Sequence, residues 1–317
     1  METFYLVLSQ LQIFTVLVLV GIIGVKTNAL NESGLSVLSR LIMRLSLPIM
    51  IFHKSINGAT RADMLSCFTE VVLSAVFMFG LLFFIGFFLK RLFSLCGDYG
   101  SVFHASSMFG NVGFIGIPLI LGILPERGML YMALFTIIDQ ILLWSVGFYL
   151  TLPKLKLGQN SLTANLKNIA NPAMLGILLA IVFILMEWKL PVTLNKALGG
   201  VGDMTTPLSL IYIGGTFCYC DVRRFLSKVE YYAIVVVKMV AVPLLVFTAL
   251  RFFQVQPEIV TFITTLSGMP SMAAIAMFAR TNESDEDCAV GAVMITTILC
   301  LVTIPLVTYL TSYMKLV

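Results

Sequence analysis

Apolar residues dominate this chain in blocks about twenty long, separated by short polar or charged stretches, and that block length matches the hydrocarbon thickness of a bilayer crossed by a helix. Windows of this kind predict ten spans, near 4–24, 35–56, 65–89, 101–122, 128–150, 169–186, 194–220, 231–250, 258–279 and 288–313. The first, from Thr3 to Val25, carries no charge and is followed by Lys26. With no basic start and no small-residue cleavage site, it reads as a transmembrane helix and not as a removed signal peptide. The longest connection, near 151–168, is polar and divides the chain almost in half.

Two of the spans are flawed in the same way. The stretch Tyr99 to Pro125 contains no Asp, Glu, Lys or Arg, yet its middle reads FGNVGFIGIPLI, with Gly110, Asn111, Gly113, Gly116 and Pro118. The ninth span carries Ser267, Gly268, Met269, Pro270 and Ser271. Glycine and proline at this depth free backbone groups that lipid cannot satisfy, so such breaks persist where they are buried in protein or line a watery cavity. Gly110 and Gly268 lie 158 positions apart, and Pro48 and Pro207, in the second and seventh spans, 159. Both offsets are about half the chain, which predicts a duplication of five spans. Because five is odd, the second copy enters the membrane from the opposite side.

The expected organisation is therefore all-α: a first five-helix repeat over 1–153, a short cytoplasmic linker over 154–168, and an inverted second repeat over 169–317. Two broken helices related by a pseudo-two-fold axis meet near mid-bilayer and direct half-helix N-termini at their crossing. Such an end offers unpaired N–H donors and about half a positive charge, which suits a carboxylate. The expected binding residues are Asn111, Gly110, Gly113, Ser267, Gly268 and Ser271, with Pro118 and Pro270 as the crossover prolines. The plainer reading, in which glycines only permit close packing and prolines only kink, fits either span alone but not the shared offset.

Composition agrees. The 317 residues are 59% hydrophobic and 11% charged, with mean hydropathy +1.00, which excludes a soluble globular domain. Net charge is +4 with no basic block, so no nucleic-acid surface is expected. Six scattered cysteines show no metal-ligand spacing, so neither metal nor cofactor is expected. Ten Lys and Arg fall in one set of loops and seven in the other, which places both termini outside a cell membrane.

Charges inside spans are candidate functional groups. Asp139, in the fifth span, reads equally as a proton-coupling carboxylate or as a helix-packing hydrogen bond shared with Gln140. Arg44 and Asp203 each lie four residues before a repeat proline, one turn away on the same face, and are expected to form a buried scaffold pair, with Arg44 as an electropositive wall for an anion the alternative. Glu70 and Lys238 are expected to extend to the membrane surface along their stems, and His104 to be a packed, hydrogen-bonded side chain.

At GNVGFIGIPL (110–119), NPAMLGILLA (171–180) and GMPSMAAIAMFA (268–279) the sequence resembles the auxin efflux carrier family, which includes PIN-type auxin exporters and bacterial malate- and malonate-type permeases. The resemblance runs the length of the chain. It implies a fold like that of NhaA-type antiporters and bile-acid transporters: a scaffold from spans 1, 2, 6 and 7, a transport core from spans 3–5 and 8–10, an elevator-like movement, and a homodimer. The large central hydrophilic loop of the plant carriers is absent here. The expectation is a secondary transporter of a small organic anion such as a mono- or dicarboxylate. A channel or membrane sensor is the alternative on the same scaffold. An intramembrane enzyme lacks its parts, with no H-E-x-x-H, G-x-S-x-G or aspartate pair.

Overall fold

The computed structural model describes residues 2–58, 60–153, 172–219 and 222–314. Among them every regular element is helical. In chain order these are α1 Glu2–Lys26, α2 Glu32–Gly58, α3 Arg61–Leu92, α4 Gly97–Met108, α5 Val112–Ile123, α6 Gly128–Leu150, α7 Pro172–Leu185, α8 Val192–Asp203, α9 Thr205–Phe217, α10 Val229–Phe252, α11 Pro257–Ser267, α12 Ala273–Thr281 and α13 Glu286–Met314. Six of them, α1, α2, α3, α6, α10 and α13, are long and apolar enough to cross a bilayer. The linker expected at 154–168 and the start of the sixth span lie outside the described residues. The lipid-facing character of the surface is plain on α3, where Leu73, Phe84 and Phe88 are well exposed.

Proline shapes several of these helices. Pro48, Pro118 and Pro243 each follow a wide, π-helical turn, at Ile42–Ser46, Val112–Gly116 and Val237–Ala241. A proline has no N–H for the carbonyl four residues back, and a turn closed by bonds five residues apart absorbs the mismatch. Leu47, Ile117 and Val242 donate to Ile42, Val112 and Val237 in this way. Pro207 acts more severely. The span expected to run unbroken over 194–220 is divided at Met204 into α8 and α9, because Pro207 has no N–H for the Asp203 carbonyl.

The helices close with paired signatures. Asn28 and Glu187, just past α1 and α7, have positive φ of 58° and 56°, and Ser94 and Gln254, just past α3 and α10, have 51° and 57°. The members of each pair lie 159 and 160 positions apart, and all four occupy the left-handed position that ends a helix. Packing pairs up as well. α1 lies on α9 and α7 on α2; α3 packs on α4 and α10 on α11; α3 meets α6 and α10 meets α13.

Candidate functional site

The fourth and ninth spans are both broken, and the breaks touch. Asn111 N–H donates to the Pro270 carbonyl at 2.7 Å and Met272 N–H to the Phe109 carbonyl at 3.1 Å, so Gly110 and Ser271 face each other as one antiparallel bridge. The duplication seen in the sequence set Gly110 against Gly268; in space its counterpart is Ser271. A Cβ on Gly110 would lie 2.9 Å from Met269 Cβ, closer than two side chains pack, so the crossing requires glycine there. A Cβ on Gly116 would lie 3.1 Å from Leu266 Cδ2. Gly113 differs, since the nearest atom to a Cβ there is Leu47 Cδ2 of α2 at 4.0 Å, which leaves room between α5 and α2.

Four half-helix ends converge at this bridge. Asn111 Oδ1 accepts from Phe114 N–H at 3.3 Å and caps α5. Its amide nitrogen donates to no partner among the described residues. Helix α12 starts without any side-chain cap, and unpaired N–H groups at such an end are ready anion donors. Ser271 is fully buried; its hydroxyl donates to the Ser106 carbonyl at 2.8 Å and its N–H to Thr296 Oγ1 of α13 at 2.9 Å. Ser267 is also fully buried, with its hydroxyl donated to the Thr264 carbonyl at 2.7 Å. A Cβ on Gly268 would lie 3.0 Å from Pro243 Cγ. Of the residues expected to bind, the two serines have their hydroxyls committed to carbonyls inside the protein, and Gly268 faces α10. Pro118 and Pro270 stand where the breaks require them, Pro118 after the wide turn of α5 and Pro270 giving its carbonyl to Asn111.

The residue that sequence reasoning misplaced is Lys238. It is completely buried, and its Nζ donates to the Phe109 carbonyl at 2.8 Å and to the Ser106 carbonyl at 3.2 Å, the last carbonyls of α4. A basic group is stabilised at that negative helix pole. It does not extend to the surface. The available signal was depth: Lys238 is the tenth residue of the 24-residue α10, too far from either end for its stem to reach water.

The other in-span charges fall elsewhere. Asp139 is 1% exposed; Oδ2 accepts from Gln140 Nε2 at 3.1 Å while Oδ1 has no partner. Gln140 Oε1 in turn accepts from Trp144 Nε1 at 3.3 Å, and Trp144 packs on Phe278 of α12. Both earlier readings of Asp139 survive this geometry, since it makes the packing bond and keeps one free oxygen. The expected Arg44–Asp203 pair is corrected. Asp203 instead meets Lys54 at 2.7 Å, in an exposed contact, and Arg44 is exposed. The expectation assumed regular helix on both sides, but Arg44 sits inside the wide turn of α2 and Asp203 at the end of α8, so the two no longer share a depth and face. Glu70 accepts from Gln256 N–H at the start of α11 at 3.0 Å. His104 is packed as expected, with Nε2 at 2.9 Å from the Phe83 carbonyl.

Comparison with known proteins bears on this arrangement. A family model described as membrane transport protein matches residues 6–308. A transporter of Methanocaldococcus jannaschii, named only as uncharacterised, is 22% identical over 303 residues, covering 93% of this chain and 95% of its own. Another from Methanothermobacter thermautotrophicus, also named as an uncharacterised transporter, is 26% identical over 301 residues, covering 92% and 94%.

Proposed function

This chain belongs to the membrane transport protein family, the one its crossover motifs resemble, and within it we propose a secondary transporter of a small organic anion, a mono- or dicarboxylate bound at the crossing of the two broken helices. The observation that carries the reading is the crossing itself: an uncapped α12 N-terminus, the free Asn111 amide and the basic Lys238 gathered at one buried bridge. Two positive helix ends and a basic side chain make a potential that favours a carboxylate over a cation. A methyl at Gly113 would only touch Leu47 of α2, at 4.0 Å, so packing does not require glycine at that point of the crossing.

Two inverted five-helix repeats support the reading. The paired left-handed helix ends and the exchanged contacts, α1 on α9 with α7 on α2 and α3 on α4 with α10 on α11, are what such a repeat produces. On this scheme α1, α2, α7, α8 and α9 form the scaffold, and α3–α6 with α10–α13 form a core that moves like an elevator to expose the site alternately. Both termini lie outside a cell membrane, and a homodimer holds two scaffolds together. Asp139 is the candidate proton carrier, and Asp139→Asn is expected to abolish any pH dependence of transport while leaving the fold intact.

A counterflow screen of mono- and dicarboxylates in proteoliposomes, with Asn111→Ala as control, tests the proposal. Saturable exchange that is lost in the variant is expected. Normal transport by Asn111→Ala removes the site, and rapid flux without saturation turns the reading towards a channel.

A further inference from the structure

The two half-helices that run into the crossing, α4 and α11, both end there with carbonyls pointing at it, and each such end carries partial negative charge. On α4 that charge is met by Lys238 Nζ. On α11 it is met by a cavity of about 30 Å³ between α10, α11 and α13. The space is enough for one or two water-sized occupants. Its lining includes Thr264, Thr265 and Gly268 of α11, Met239 of α10, and Thr308 and Thr311 of α13, and contains no carboxylate and one ring only, Phe247.

Three of the hydroxyl groups there are turned one way. Thr265 donates its proton to the Thr261 carbonyl at 2.8 Å, Thr308 to the Ile304 carbonyl at 2.8 Å and Thr311 to the Thr308 carbonyl at 3.1 Å. Each hydroxyl has one proton, so what remains for the cavity is lone pairs. Thr264 Oγ1, on a residue 5% exposed, has no partner at all. The Met239 carbonyl oxygen lies 3.4 Å from where a Gly268 Cβ would stand. Four hydroxyl oxygens beside a negative helix pole, three with their protons already given to carbonyls and that of Thr264 free to turn away, describe a cation site. The absence of carboxylates from the lining points to a monovalent ion, since divalent cations draw charged oxygens.

We propose that this cavity binds a single alkali cation through neutral oxygens of α11, α10 and α13. Half-helix C-termini and unwound carbonyls hold coupling ions in this manner in other broken-helix carriers. The inference rests on the crossing and not on the organic-anion reading, so it is tested with no organic anion present.

Thermal unfolding of the full-length protein in detergent is followed in LiCl, NaCl, KCl and choline chloride at matched ionic strength. One alkali cation is expected to raise the midpoint in a saturable manner over choline, as a ligand of the folded state does, and Thr264→Val is expected to abolish that shift. If no alkali cation exceeds choline, or if Thr264→Val responds like the parent chain, the proposal is overturned. Should Thr264→Val fail to fold, Thr308→Val is read on the same terms: loss of the shift supports the site and an unchanged shift removes it.

Discussion

Helix α4 runs into the crossing and stops on the side chain of Lys238, whereas α11 runs in from the second half of the chain and stops on a hydroxyl-lined cavity. The position 160 before Lys238, the spacing that relates Ser94 to Gln254, is Met78, also buried. The two helix ends are alike in backbone and differ in what meets them. A basic residue at one helix end and none at the other is enough to give the crossing a polarity that the backbone alone lacks.

The largest effect is expected from Lys238→Met, which makes the two repeats alike at this position. It removes a donor shared by the Ser106 and Phe109 carbonyls. Hydrogen bonds to a charged group contribute about 1.5–3 kcal/mol, so counterflow should fall by at least about tenfold and the unfolding midpoint should drop. Unchanged transport would mean that the asymmetry has no functional weight.

Next in size is Gly110→Ala. The added methyl meets Met269 Cβ at 2.9 Å, and overpacking of this kind costs about 1–3 kcal/mol. Gly113→Ala, with its nearest neighbour at 4.0 Å, should be close to neutral in stability, and thermal unfolding of the two variants distinguishes a glycine the bridge requires from one that keeps space open. Transport by a folded Gly113→Ala then reports whether that space is used.

Asn111 separates capping from binding. Alanine removes the α5 cap at about 1 kcal/mol, while serine retains a capping oxygen and lacks the amide. Asn111→Ser is expected to unfold like the parent chain and still lose counterflow; a serine variant that transports normally would assign Asn111 to structure alone. The smallest effect is expected at the edge of the scaffold. Lys54 and Asp203 form an exposed pair, such pairs are worth about 0–1 kcal/mol, and Lys54→Ala should leave both stability and transport nearly unchanged.

Much of this was legible beforehand because lipid imposes strict rules. Long uncharged windows become helices, and Gly-Asn-x-Gly-x-x-Gly-x-Pro and Ser-Gly-x-Pro-Ser break them, since no other backbone solution survives in hydrocarbon. The half-chain offset located both breaks for the same reason. Register was less legible: the offset read from the sequence was 158 residues, whereas the bridge pairs Gly110 with Ser271, 161 residues on, because an offset counted in residues does not fix which backbone groups meet.

By itself, then, the order of apolar blocks, glycines and prolines determined an all-helical membrane chain with two interrupted helices, because those choices follow from backbone hydrogen bonding along a single strand of sequence. Only the tertiary structure decided which polar groups share the crossing. Ser267 and Ser271 spend their hydroxyls on carbonyls, Asp203 finds Lys54 and not Arg44, and Lys238 reaches across more than a hundred residues to the end of α4. Such pairings depend on how helices far apart in sequence rotate and pack, and no local pattern encodes that rotation.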